Sequence, residues 1–396
     1  MLIGCIKGPD LETAKRQLKM AEKFCDGVEL RKDLLKQEIE VFKEFVLTTE
    51  DGQSTLSNGQ TLSSYHNFEE TPEDLEKILS SLPKADFYKI CTMANKTTDA
   101  LRMLCFVKDK PNVAGMCMGE LGQITRILGP VVRNPFTFAA LGTEAAPGQL
   151  QAEELVETYH FHKLSFNTKI YGLIGNPIMQ SPSHKTHNAY FRNNDIDAVY
   201  VRMLLDEDEL PLFFPLAKEL GIQGLSVTIP FKEKVFPYID DIDEDAKEIG
   251  AINTIAFEDK VCGSNTDAPG ALDAIELRRQ VLGKHCVILG AGGTAKAIAF
   301  EAQKRGATVS ILSRRFGNLD QVPTYDILIN TTSVPCPIDL ETLQPRKIVM
   351  DVNVAHTDTP LMLRAKALGC RLVYGKEMFL RQARGQFAKW DQIPSS

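Results

Sequence analysis

Two lysines, Lys89 and Lys232, stand in settings that suit different reactions. Lys89 lies in the short apolar run DFYKICTM (86–93), downstream of SYHNF (64–68). An amine held in an apolar strand suits carbonyl chemistry, because desolvation favours the neutral, nucleophilic form. His66, just upstream, is a side chain able to take and return a proton near neutral pH. Lys232 ends GLSVTIPFK (224–232) and is followed by AINT (251–254), NTD (265–267) and the glycine loop GAGG (290–293). A lysine with an aspartate, Asp267, and a glycine loop suits proton transfer coupled to hydride transfer. Each residue also has a bland reading. A strand-end lysine is usually solvated, a lone histidine is usually structural, and Asp267 sits in NTDAPG, a run of turn formers. Taken together, the chain reads as two enzymes joined head to tail.

The elements that must position these groups follow a βα rhythm. In the first 165 residues apolar runs alternate with helical patterns. Strands are expected at 2–6, 27–31, 45–48, 62–66, 87–91, 113–118 and 136–141. Thr71-Pro72-Glu73 marks a helix start, with a cap residue, proline at the first position and an early acid. Repeated βα units suggest a (β/α) barrel, whose reactive residues sit at the C-terminal ends of strands. Seven strands are found where eight are usual. EDGQSTLSNGQT (50–61) is turn-like and carries no helix, so one βα unit is expected to be missing or shortened. A second α/β pattern begins at 170–175 and continues through 198–203, 224–229 and 251–257. A third begins at 285–290, with strands at 308–313, 326–331, 347–352 and 371–374. The expected domains are 1–165, 169–282 completed by a C-terminal helix over 375–396, and 283–374.

Composition narrows the classes of function. The 396 residues are 43% hydrophobic and 24% charged, ordinary for a globular protein of two or three domains. A formal charge of −7 without a basic tract argues against a nucleic-acid partner. No apolar run approaches the ~20 residues of a membrane helix, and the N-terminus turns polar too soon for a signal peptide. Nine scattered cysteines with no C-x-x-C pair read as reduced, buried thiols, and no metal site is expected. A cytoplasmic location is the expectation. The sequence leaves the oligomeric state open.

SYHNFEETP followed by a YKI strand resembles the class I 3-dehydroquinate dehydratases, which pair a histidine with a Schiff-base lysine. The resemblance extends through VELRKD (28–33), ITRILG (124–129) and EAAPGQ (144–149). It implies His66 and Lys89 as catalytic residues, with Glu29, Arg31, Arg126 and Gln149 binding substrate. Glu50, in EDGQ, stands for the family's further acid. Ala145 departs from the serine usual in the family.

IGNPIMQSPSHKTHN (174–188), SVTIPFK, AINT, NTD and ILGAGGTAKA (288–297) together resemble shikimate dehydrogenase, over roughly 169–390. The resemblance implies Lys232 and Asp267 as the catalytic pair, with Ser181, Ser183, Thr228, Asn253 and Gln382 lining the substrate pocket. Ser181 or Ser183 could also cap the helix that follows. The strand–loop–helix element implies a dinucleotide held by Gly290, Ala291, Gly292, Gly293 and Thr294, with Gly375 beside it. Ser313, Arg314 and Arg315 end the next strand, where NAD enzymes usually carry an acid. Two arginines there favour a 2′-phosphate, hence NADP. Val354 replaces a tyrosine common in the family, and the stretch from Arg315 to Tyr325 is too short for a full crossover helix.

The expected fold is therefore α/β: a shortened TIM-like barrel, then a substrate domain and a Rossmann NADP-binding domain. The expected activity is dehydration of 3-dehydroquinate followed by NADPH-dependent reduction to shikimate, the only partners being these small molecules. Three alternatives stay open at this point: a dehydrogenase carrying a degenerate dehydratase domain, a ligand-sensing regulator, and an oxidative NAD-linked quinate or shikimate dehydrogenase.

Overall fold

The computed structural model describes residues 1–34, 39, 41, 45–50, 53–316, 319–354 and 357–390, the side chains of Glu50 and Gln53 excepted. Two compact units emerge: Met1–Met179 with Ser183–Ile222, and Gln180–Pro182 with Gln223–Ser396.

In the first unit, β1 (Leu2–Ile6), β2 (Gly27–Arg31), β3 (Phe45–Glu50), β4 (Gln53–Leu56), β5 (Thr61–Asn67), β6 (Phe87–Met93), β7 (Val113–Met118) and β8 (Thr137–Ala139) form one sheet. Its order is β7-β6-β5-β4-β3-β2-β1-β8. Ile3, Cys5, Leu47, Leu56, Leu62, Cys91, Met116 and Phe138 share one interior cluster. Because β7 and β8, the two ends of the sheet, both feed this cluster, the sheet curls round it as a nearly closed barrel. Helices α1 (Leu11–Phe24), α2 (Leu75–Ser81), α3 (Thr97–Val107), α4 (Gln123–Ile127) and α5 (Ala152–Glu157) follow strands. In α1 the Asp10 carboxylate caps Thr13 N, and Ala14, Leu18 and Ala21 repeat at helical spacing to form the buried stripe.

The count of seven strands is corrected here to eight. The stretch read as a bare linker holds β4, which runs antiparallel to both β3 and β5, while the other seven strands are mutually parallel. Reversing one strand removes the need for a crossover helix, since antiparallel neighbours join through a tight turn. The Leu56 N–H donates to the Gln60 carbonyl to close that turn. The wall is therefore continuous from β3 through β4 to β5, where the sequence predicts a missing or shortened βα unit. The first unit also contains β9 (Lys169–Gly175), α6 (Ser183–Asn193), β10 (Ala198–Leu204) and α7 (Leu210–Leu220), with β9 and β10 parallel.

In the second unit, β11 (Ile222–Val227), β12 (Asp241–Ile242), α8 (Glu244–Ile249), β13 (Thr254–Phe257), β14 (Val261–Ser264) and α9 (Asp267–Glu276) come first. β13 runs antiparallel to β11 and β14. There follow β15 (His285–Leu289), α10 (Gly293–Lys304), β16 (Thr308–Leu312), β17 (Ile327–Asn330), β18 (Ile348–Asp351), α11 (Pro360–Ala367), β19 (Arg371–Tyr374) and α12 (Gly375–Lys389). The last five strands make an all-parallel sheet in the order β16-β15-β17-β18-β19. β15 shows why it is covered on both faces. Cys286 and Ile288 enter one core and Val287 and Leu289 the other. Between β16 and β17 no helix occurs among the described residues, as the short spacing predicts. α12 returns to the first sheet of this unit. Gln386 Nε2 donates to the Asn253 carbonyl at 3.0 Å and Trp390 Nε1 to the Ile255 carbonyl at 2.9 Å. Residues 391–396 of the expected C-terminal helix lie outside the described residues.

Candidate active sites

The barrel holds a cavity of about 380 Å³. The parallel register of β5 and β6 sets Ser64 beside Lys89 and His66 beside Cys91. Strand alternation turns Ser64, His66, Lys89 and Cys91 to the same face, and all four line the cavity. Glu29, Arg31, Arg126 and Gln149 line it too, so residues far apart in sequence converge on one space. Glu50 ends β3, but its side chain lies outside the described residues.

Each polar group in the cavity has a defined setting. The Lys89 ammonium stands 4.0 Å from the centre of the Phe138 ring, a cation–π contact. Glu29 is buried and accepts from Thr49 Oγ1 at 3.0 Å and from Cys5 Sγ at 3.4 Å. Gln149 Nε2 donates to Cys5 Sγ at 3.2 Å, and its Oε1 accepts from the Ala145 N–H at 2.8 Å. Arg31 forms a two-pronged ion pair with Asp33. Arg126 is only 2% exposed and donates to the Cys117 carbonyl, while its Nε has no partner among the described residues. Burial pushes its guanidinium below the ordinary arginine range.

The His66 imidazole is pushed down to about 4, first by desolvation and then by the Lys89 ammonium, against the pull of Glu29. At neutral pH it is therefore uncharged and able to accept a proton. Burial raises the Cys5 and Cys91 thiols, so both are neutral walls rather than nucleophiles. Asp33, Cys5, Thr49, Ser54 and Phe138 escape a reading of the sequence alone. Cys5 was traceable in principle from the inward alternation of LIGCI, whereas Ser54 belongs to the unrecognised strand β4.

The second unit holds the other lysine. Lys232 follows β11 in a short 3-10 turn (Phe231–Glu233), and Asp267 opens α9. Lys232 Nζ donates to Asp267 Oδ2 and, at 2.9 Å, to Thr294 Oγ1. Both members of the ion pair are largely buried, with side-chain exposures of 14% and 8%. Asn253 Nδ2 donates to Asp267 Oδ1 at 3.0 Å and lies 3.4 Å from Gln382 Oε1. The side chain of Asn265 accepts from the Asp267 N–H at 3.0 Å and fixes the start of α9. Lys232, Asp267, Asn253 and Gln382 thus form one hydrogen-bonded network. Thr228 lies just after β11, half-buried, and its carbonyl accepts from Phe231 N at 2.9 Å. Ser183, buried, is the first residue of α6 in the first unit, and Ser181 belongs to the second. His187 stacks on Tyr200 and bonds the Ser183 carbonyl, a structural role.

The glycine loop leaves β15 at Gly290, whose φ of +119° only glycine adopts without strain. A Cβ at Gly292 would meet nothing within 4 Å, so the loop is open at the N-terminus of α10. That is the setting in which a pyrophosphate finds free N–H groups and the positive helix end. β16 lies beside β15 and brings Ser313, Arg314 and Arg315 next to the loop, the Gly290 N–H donating to the Leu312 carbonyl at 2.8 Å. Ser313 is buried. Arg314 and Arg315 are exposed, with no carboxylate partner among the described residues. Gly375 opens α12, where a Cβ would come within 2.4 Å of the Val352 carbonyl. These residues fit a phosphorylated dinucleotide.

Fold and sites define a class: a lysine-bearing barrel joined to a reductase of the Rossmann type. Comparison with known proteins specifies it further. Residues 38–165 match the type I 3-dehydroquinase family, and residues 173–255 match the shikimate dehydrogenase substrate binding domain. The chain is 34% identical to the shikimate biosynthesis protein AroDE of Chlamydia pneumoniae, over 83% of its own length and 72% of that protein. It is 32% identical to the chloroplastic bifunctional 3-dehydroquinate dehydratase/shikimate dehydrogenase of Arabidopsis thaliana, over 93% of its length and 69% of that protein. Among solved structures, a shikimate dehydrogenase in complex with NADP⁺ superposes with a TM-score of 0.54 at 34% identity, covering 58% of this chain and 92% of that one. The chain belongs to the family of bifunctional 3-dehydroquinate dehydratase/shikimate dehydrogenases. Among the described residues no helix is long and apolar enough to cross a membrane, and no cluster of three His, Cys, Asp or Glu could hold a metal ion.

Proposed function

We propose that the chain catalyses two consecutive steps, dehydration of 3-dehydroquinate and reduction of the resulting 3-dehydroshikimate to shikimate. The observation that carries the reading is the assembly of Lys89, His66, Glu29, Arg31, Arg126 and Gln149 in one cavity. Residues 1–165 would form the dehydratase. Residues 169–282 with the C-terminal helix would form the substrate domain, and 283–374 the NADP-binding domain.

In the barrel, Lys89 gives up one ammonium proton, its amine adds to the substrate ketone, and the adduct takes the proton back as water leaves, giving an iminium. His66 takes the proton from the adjacent carbon, and the electron pair moves toward the iminium nitrogen. The hydroxyl on the next carbon departs as water, protonated by His66, and a further water hydrolyses the imine to free Lys89. Arg126, buried and partly unpaired, holds the substrate carboxylate. Glu29, Arg31 and Gln149 bind the hydroxyl groups of the ring, and Glu50 is assigned beside them on sequence resemblance alone.

In the second half, NADPH supplies the hydride when bound. The Lys232 ammonium gives its proton to the carbonyl oxygen, and Asp267 holds the lysine aimed. Asn253, Gln382, Thr228 and Ser181 hold the hydroxyls and carboxylate, and Ser183 is assigned to substrate on sequence resemblance alone. The loop Gly290–Thr294 would hold the pyrophosphate and Ser313, Arg314 and Arg315 the 2′-phosphate, with Gly375 assigned to the same cofactor on sequence resemblance alone. The same reading makes the protein cytoplasmic, supported by nine cysteines that are all outside disulfides. The test is to give the purified chain 3-dehydroquinate and NADPH, following enone absorbance and NADPH loss together. NADPH consumption from both 3-dehydroquinate and 3-dehydroshikimate is expected. Consumption from 3-dehydroshikimate alone would leave only the reductase.

A further inference from the structure

The two consecutive glycines that open α10 do different work. A Cβ at Gly292 would face open space, whereas one at Gly293 would lie 3.2 Å from both Cβ and Cδ of Lys232 and 3.2 Å from the Ala251 Cβ. Those separations are tighter than the roughly 3.5–4.0 Å of ordinary carbon contacts. The stem of Lys232 therefore lies against the backbone of Gly293. At the next residue the Thr294 hydroxyl accepts from Lys232 Nζ at 2.9 Å. The other partner of that ammonium, Asp267, comes from α9.

We infer that Gly293 and Thr294 form a positioning seat for Lys232. The end of the dinucleotide loop thereby serves the acid–base pair directly, besides serving the pyrophosphate. Two directions are fixed for a flexible side chain with three donors: Asp267 holds one N–H and Thr294 another, leaving the third for the substrate oxygen. The stem is confined where it passes Gly293. Lysine loses much rotamer freedom in such a seat, and that cost is met before substrate arrives. The backbone N–H of Thr294 lies in the first turn of α10, where a helix offers it no partner and an anion can be bound. One residue thus touches both the proton donor and the place where the cofactor binds.

This inference rests on the proposed reductase reaction, and the test separates the two. In the full chain, Thr294→Val keeps the shape and removes the hydroxyl, while Thr294→Ser restores it. Thr294→Val should lower kcat for 3-dehydroshikimate reduction about tenfold, the scale of one hydrogen bond to a charged group. The KM for NADPH should stay within about twofold, and Thr294→Ser should recover most of kcat. A raised NADPH KM with unchanged kcat would make Thr294 a cofactor contact only and overturn the seat. A second readout needs no turnover. In cofactor-free protein, the ¹H–¹⁵N ammonium signal of Lys232, identified by its loss in Lys232→Met, should be visible through slowed exchange. It should vanish in Thr294→Val and Gly293→Ala and persist in Thr294→Ser. An ammonium signal that survives Thr294→Val overturns the inference. A wild-type chain without reductase activity but with this signal pattern would refute the reaction and leave the seat standing.

Discussion

Arg126 donates to the carbonyl of Cys117 while its buried Nε meets no acceptor among the described residues. A guanidinium hidden to 2% exposure without a carboxylate partner among the described residues is costly, and an incoming anion would offset that cost. Arg126→Met keeps similar bulk and removes the charge. The ligand-free protein should then melt no lower, and up to several degrees higher, in a thermal scan. Dehydratase KM should rise roughly 10- to 100-fold, the scale of lost hydrogen bonds to a charged group. A lower melting temperature with unchanged KM would assign Arg126 to structure alone.

The neutral state of His66 predicts an unusual acid limb. With its imidazole pushed down to about 4, by desolvation and then by the Lys89 ammonium, the base form persists well below neutrality. Because kcat/KM reports groups of the free enzyme, the dehydratase profile should hold down to about pH 5 and fall near 4. An ordinary histidine would cause the fall near ~6.5. Histidine NMR in Lys89→Met should show the His66 midpoint climbing part of the way back, since desolvation remains when the charge is gone. A midpoint unmoved by that substitution would show that the lysine charge does not reach the ring.

The dehydratase half shows what a sequence makes legible and what it hides. Lys89, His66, Arg126 and Gln149 were readable because their chemistry recurs in short local motifs, and the cavity unites them. β4 was not readable. QSTL alternates correctly, with Leu56 inward, but a four-residue strand beside a turn has too few apolar positions to stand out. Its antiparallel course depends on pairing with β3 and β5, which is tertiary information. Phe138 under Lys89, and Cys5 between Glu29 and Gln149, were hidden for the same reason: no local pattern announces a contact across a barrel. In the second half the Lys232–Asp267 pair was expected, but the role of Thr294 as its third member depends on how closely α10 approaches.

Asp267 accepts from Lys232 with one oxygen and from Asn253 with the other. Asp267→Asn cannot serve both, because an amide offers one acceptor oxygen and would turn an N–H group toward one of the two donors. Reduction of 3-dehydroshikimate should therefore fall in kcat by about 10²-fold or more, within the usual range for a general acid–base group. Binding of NADP⁺, measured by calorimetry, should change by less than about threefold, since Asp267 does not touch the glycine loop. Equal losses in cofactor affinity and kcat would show that the substitution disturbs the unit as a whole.

Cofactor selection turns on the pair of arginines after β16. Gly290 N–H bonds to the Leu312 carbonyl, so the chain beyond Leu312 starts beside the glycine loop, and Arg314 and Arg315 follow within three residues. Neither is paired with a carboxylate among the described residues, so both are available to a 2′-phosphate. Arg314→Ala should raise the KM for NADPH roughly 10-fold or more, the scale of one hydrogen bond between charged groups. The KM for NADH, which has no phosphate to lose, should move by less than about twofold. Arg314→Asp should go further, repelling the phosphate while offering an acceptor to the ribose hydroxyls, so NADH should become the better substrate. The NADPH effect should also shrink with added salt, because both arginines are exposed and their field is screened. Parallel losses for NADPH and NADH would mean that Arg314 supports the loop and does not read the phosphate.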